Sequence, residues 1–226
     1  MKRVILFSLT CVLLFPLSAQ YEVLGPEIAR HSRDHSWYSE HNFPDVFITR
    51  SDRDEAFLHI RDVDAEWKTV MLLEASALYV DSVRMRGEVA VDPRDGKEYN
   101  LLYLEWSVSM KGYRNETLYE QLQVVDLDAG VRVFDNMTYY QTSGLEEHAL
   151  SDSTAEMLNY VCEFDMEYTF TGGSIEIVGV DILKSTLERL DQNGEVIETG
   201  PMADCRSGLE SGIYRYQPRK FRFERQ

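Results

Sequence analysis

The chain has 226 residues, 44% of them hydrophobic and 12% aromatic, which is too apolar for a disordered polymer and long enough to bury a core. Its 39 acidic residues outnumber the 23 basic ones, for a net charge of −16. Nucleic-acid binding draws most of its affinity from Lys and Arg on phosphates, so this balance argues against a DNA or RNA partner. It favours cationic partners, namely basic proteins, polybasic peptides or divalent cations, unless the charge serves solubility alone.

Residues 1–19 have the make-up of a cleavable secretory signal. Lys2 and Arg3 form a positive start, residues 4–14 are almost wholly apolar, and Pro16 precedes the small residues Ser18 and Ala19. The apolar run is about half of the roughly 20 residues that cross a bilayer, so a membrane anchor fits less well, and no later stretch is longer. Ser8 and Thr10 stand where a lipidated Cys11 would need a leucine-like and a small residue. Cleavage near Ala19/Gln20 predicts a secreted or periplasmic protein without a transmembrane span. It removes Cys11, two of the 23 basic residues and none of the 39 acidic ones, leaving a charge near −18 and the even pair Cys162 and Cys205. In an oxidising compartment that pair is expected to form one disulfide, with two buried thiols as the alternative.

Residues 20–44 are polar, contain Pro26 and Pro44 and lack clean periodicity, which predicts an irregular N-terminal arm. The arm carries His31, His35 and His41 with Asp34 and Glu40. On a helix, imidazoles at i and i+4 share one face and with a carboxylate suit a tetrahedral Zn²⁺ site. The glutamate of the His-Glu-x-x-His pattern is missing and the arm has little helical character, so a solvated polar arm is preferred. Asp52, Asp54 and Glu55, then Asp62, Asp64 and Glu66, offer oxygen ligands for Ca²⁺, but the glycine and distal glutamate of an EF-hand loop are absent. No cofactor is predicted, with Zn²⁺ and Ca²⁺ as the minor alternatives.

From Asp45 onward period-two alternation dominates, and residues 45–226 are expected to form a single β-rich domain. In residues 102–110, Leu102, Leu104, Trp106, Val108 and Met110 face one side, with Tyr103, Glu105, Ser107 and Ser109 on a wet one. Val83, Met85, Val89 and Val91 alternate with Arg84, Arg86 and Glu88, and Phe221 and Phe223 with Lys220, Arg222 and Glu224. Turn chemistry separates the runs at residues 92–96, at Asp128-Ala129-Gly130, at Gly172-Gly173 and at Asn193-Gly194. Residues 142–159 read as a long connection in which Ser153 and Glu156 make a capping box for one short helix. That connection is expected to divide sub-layers 45–141 and 160–226. The fold class is therefore all-β, with antiparallel sheets arranged as a sandwich, curled sheet or open barrel, an irregular N-terminal arm and at most one short helix.

Chemical motifs are sparse. Glu105 is the candidate catalytic carboxylate, since glycan hydrolases use paired carboxylates about 5 to 10 Å apart with aromatic rings beneath the sugar. Trp106 alternates onto the face opposite Glu105, which makes the nearest indole a core residue and an exposed carboxylate the ordinary reading. Arg215, Arg219, Lys220, Arg222 and Arg225 make the C-terminus basic; this reads as a charged edge strand paired with acidic neighbours, in preference to an anion site. There is no Gly-x-Ser-x-Gly elbow, phosphate-binding glycine loop or Cys-x-x-Cys pair. The expectation is a secreted or periplasmic non-catalytic β-domain that binds a protein or glycan or serves a structural role, ahead of an enzyme. An inhibitor of a cationic enzyme and a β-sandwich glycan hydrolase are the alternatives.

Overall fold

The alternation is realised as antiparallel strand almost throughout the computed structural model, which describes residues 20–21, 27–31, 45–50, 55–61, 67–73, 79–112, 114–149, 155–191 and 193–226. The signal stretch 1–19, His35, His41, Ser153 and the acidic residues 52, 54, 62, 64 and 66 lie outside the described residues. A four-stranded sheet runs in chain order through β2 (Glu27–His31), β3 (Asp45–Arg50), β4 (Ala56–Arg61) and β5 (Trp67–Leu73). A ten-stranded sheet follows, with β6 (Tyr79–Val91), β7 (Glu98–Lys111), β8 (Asn115–Asp126), β9 (Val131–Ala149), β10 (Ala155–Thr171) and β11 (Ser174–Leu190) each paired to the next. The edge strand β1 (Gln20–Tyr21) pairs β6; beyond β11 come β13 (Gly212–Gln217) and β14 (Arg222–Arg225), while β12 (Val196–Gly200) pairs a separate part of β11. Among the described residues the one helical element is a 3₁₀ turn at Pro218–Lys220.

The all-β class and antiparallel pairing match the sequence reading, and two details differ. Within the N-terminal arm 20–44 the described residues form two short strands, β1 and β2, the latter paired with β3 from Glu27 opposite Thr49 to His31 opposite Val46. Residues 142–159 belong largely to two long strands, with Glu156 opposite His148 in a ladder that continues to Asp165 opposite Tyr139. Continuous cross-strand pairing there outweighs one local cap, and Glu156 is strand. The sheets accordingly change over between Leu73 and Tyr79, while β9 and β10 stay in one sheet.

Two cores share β7. On one face Val46, Ile48, Leu58, Ile60 and Leu72 of the small sheet pack with Val83, Met85, Leu102, Leu104, Trp106 and Val108. On the other, Leu101, Tyr103, Leu122 and Val124 pack with Met166, Ile175, Ile177, Tyr214, Tyr216 and Phe223, side chains from the far strands of the same sheet. The large sheet therefore curls until its last strands cover β7 and β8. Leu101, Leu102, Tyr103 and Leu104 are all fully buried, so β7 has no wet face at this end. The expectation that Tyr103 faces water is corrected: its ring stacks on Phe170 at 4.3 Å between centroids, and its hydroxyl donates to the Gly172 carbonyl at 2.7 Å. A buried phenol needs such a partner, and the apolar body of the ring gains about 1.5–3 kcal/mol by leaving water.

The hairpin turns stand where their chemistry placed them. Gly194 takes φ 82°, and the Asp191 carboxylate accepts backbone N–H bonds from Asn193 and Glu195, each at 2.8 Å. At Gly173 close approach sets the residue, because a Cβ there would stand 2.8 Å from that of Ala90. This contact brings the β10–β11 turn against the end of β6.

Candidate functional site

Curling places charged residues on neighbouring strands in one band. Along a single register line Ser107 of β7 stands opposite Glu120 of β8, Glu120 opposite Tyr139 of β9, Tyr139 opposite Asp165 of β10, and Asp165 opposite Asp181 of β11. Glu105 lies two residues from Ser107 on β7, diagonal to Glu120, with Arg84 of β6 opposite it. Diagonal pairs in antiparallel sheets are about 7–8 Å apart, within reach of long side chains.

Burial and hydrogen bonds act on several groups of the band. Glu105 is half-buried and accepts a hydrogen bond from the Tyr168 hydroxyl at 2.7 Å. Burial and the negative charge of Glu105 push the Tyr168 phenol up from its ordinary value. Partial burial also pushes the Glu120 carboxyl up; the cation of Arg84 opposes this, while Glu105 and Asp165 add to it. The Tyr139 hydroxyl sits within hydrogen-bond reach of Gln141 Oε1 at 3.1 Å and Glu163 Oε1 at 3.2 Å. Lys184 pairs with the other oxygen of Glu163 at 2.7 Å and holds that carboxyl below its usual range. The band is thus rich in acceptors and carries a carboxylate whose charge its neighbours oppose.

The residues singled out in the sequence fall in several places. Glu105 joins the band, but Trp106 is buried in the opposite core, its indole N–H donating to Gln123 Oε1 at 3.0 Å. Cys162 of β10 and Cys205 of the β12–β13 connection stand at disulfide distance, 2.09 Å between sulfurs. His31 ends β2, while His35 and His41 lie outside the described residues. Among the described residues no group of three His, Cys, Asp or Glu side chains is placed to hold a metal ion. In the basic C-terminal run, Lys220 and Arg222 pair with Glu224 at 2.8 and 2.5 Å, and Arg225 pairs with Glu210.

Glu120, Tyr139, Asp165 and Tyr168 were not singled out in the sequence. Their meeting depends on the registers of three strands and on an irregularity between Glu120 and Gln121 that resets β8 against β9. Among the described residues no helix is long and apolar enough to cross a membrane. Compared with family models, curated proteins and solved structures, the chain matches none.

Proposed function

We propose that the protein is an exported, non-catalytic β-domain that binds a cationic partner, a basic protein or a polybasic segment, at the band formed by Glu105, Glu120 and Asp165. The observation that carries this reading is the placement of three carboxylates in one band, Glu120 diagonal to Glu105 of the adjacent strand and one strand removed from Asp165, across Tyr139, where burial and then these two acids push the Glu120 carboxyl up. Like charges gathered on one face of a sheet repel one another even at diagonal spacing, and an incoming ammonium or guanidinium relieves that repulsion. Export is supported by the composition of residues 1–19 and by the closely placed Cys162 and Cys205, a pairing favoured in oxidising compartments. An inhibitor of a basic enzyme is one form of the same binding activity.

The test is a titration of the mature protein with an arginine-rich peptide and with a lysozyme across a range of salt. Saturable binding that weakens steadily as ionic strength rises is expected, since electrostatic contacts are screened. Absence of binding to either at low salt contradicts the reading, as does affinity independent of salt.

A second reading follows from two of these three carboxylates. Glu105, anchored by Tyr168, and Glu120, pushed toward its neutral form, resemble the base and acid of a glycan hydrolase. Trp106 supplies no platform for a sugar because it is buried on the opposite face. Turnover of a fluorogenic glycoside that Glu105→Gln and Glu120→Gln each abolish supports hydrolysis; silence across a glycoside panel leaves binding as the function.

A further inference from the structure

A second polar site lies away from the acidic band. A cleft of about 530 Å³ opens between the β6–β7 turn, the β10–β11 turn and the segment joining β13 to the 3₁₀ turn. Arg94, Arg215, Arg219 and Lys220 line it, with Asp92 and Glu224 as its acidic side chains. Both acidic side chains are already engaged: Asp92 is buried and accepts the Arg94 backbone N–H at 2.9 Å, and Glu224 is held by Lys220 of the cleft and by Arg222. Among the described residues Arg94, Arg215 and Arg219 form no ion pair with any carboxylate. In a chain with 39 acidic and 23 basic residues acids are in excess, and the neighbouring Lys220, Arg222 and Arg225 each have one.

The frame of the cleft is fixed. Pro93 and Pro218 restrict φ in two of its walls, and the first turn is closed by the Gly96 N–H to Asp92 carbonyl bond at 2.8 Å. The Tyr216 N–H donates to the Gly173 carbonyl at 2.8 Å, binding β13 to the β10–β11 turn. After the 3₁₀ turn Phe221 adopts φ 50°, a left-handed conformation uncommon for a bulky side chain, while half of it stays exposed.

We propose that this cleft binds a small oxyanion, a phosphate or sulfate group, through the guanidinium groups of Arg94, Arg215 and Arg219. Arginine presents several N–H donors in a planar fork that matches such an anion, and the turns hold the backbone from which these three side chains extend. The acidic bulk of the protein does not prevent this, because its field is screened over about 8 Å at physiological salt. The anion arrives either as the free ion or as an ester on a saccharide, and both present the same oxygens to the cleft.

The experiment is calorimetric titration of the full mature protein with inorganic phosphate, inorganic sulfate and a hexose phosphate, at ionic strength held constant with chloride. Saturable binding of at least one of the three is expected. Arg94→Gln with Arg219→Gln should weaken it about tenfold or more while leaving melting in anion-free buffer unchanged. Binding of the free ions assigns recognition to the oxyanion alone, and binding of the hexose phosphate only adds the sugar; both support the site. No saturable binding by any probe overturns it. Undiminished binding in the double variant also overturns it, and if that variant fails to fold, Arg215→Lys, which keeps the charge and loses the fork, serves the same comparison.

Discussion

The Tyr216 hydroxyl donates to the Asp126 carboxylate across 90 residues of chain, joining β13 to the end of β8 and holding the curl of the large sheet closed. Asp126 is almost fully buried and also accepts the Ala129 backbone N–H at 2.9 Å. Tyr216→Phe keeps the ring but leaves this carboxylate short of a partner. The expected loss is about 1–3 kcal/mol in urea denaturation, the cost of an unsatisfied buried polar group. An unchanged midpoint would show that the curl closes without this bond.

Alkali should weaken the fold for a related reason. Burial raises the phenols of Tyr103, Tyr168 and Tyr216 above their ordinary value, with carboxylates nearby adding to the effect. A group whose folded value lies above its unfolded one contributes stability below the unfolded value, and that contribution is lost as pH rises toward the folded one. The melting temperature should therefore fall above about pH 10, where tyrosines of the unfolded chain ionise. Tyr216→Phe should flatten this fall, which scanning calorimetry at several pH values would show.

Cys162 and Cys205 are separated by 43 positions and tie the β12–β13 connection to β10. Closing a loop of this length restricts the unfolded chain, with a ceiling of about 4 kcal/mol in the chain-entropy treatment. The unfolded, unreduced protein should take up no alkylating label at these residues, and reduction should lower the denaturation midpoint. Two labels bound without reductant would show free thiols.

The large-scale pattern was readable because strands with one covered face write it into the sequence. Leu102, Leu104, Trp106 and Val108 alternate and are all buried against the small sheet. What alternation concealed was the second core on the reverse of the same strand. The unbroken run Leu101-Leu102-Tyr103-Leu104 carried that signal, since strands covered on both faces read as continuous apolar stretches. The acidic band was not readable at all, because Glu105, Glu120 and Asp165 meet only through pairings set by hairpin registers and bulges. Glu105 is marked in the sequence by its aromatic neighbour Trp106, and that indole serves the other core.

Glu120 should show opposite effects on stability and on binding. Its raised carboxyl means that the fold favours the neutral form, a contribution present at low pH and lost as pH rises through the folded value. At neutral pH the charged side chain is a penalty. Glu120→Gln should thus raise stability modestly, by up to about 0.5 kcal/mol given the screening of a side chain that is only partly withdrawn from water, and should flatten stability between pH 4 and pH 7. A destabilised variant would mean that Glu120 makes a favourable contact in the fold.

The binding account is tested most directly by comparing two variants of equal net charge. One removes charge from the band, Glu120→Gln with Asp165→Asn; the other removes it elsewhere, Glu176→Gln with Asp204→Asn, at exposed positions. Titrated with the same arginine-rich peptide at low salt, the first should bind more weakly, by about twofold to fivefold per carboxylate, since exposed charge pairs contribute up to about 1 kcal/mol. The second should bind nearly as the parent does. Equal losses in both would show that net charge alone attracts the peptide, and the band would not be the site.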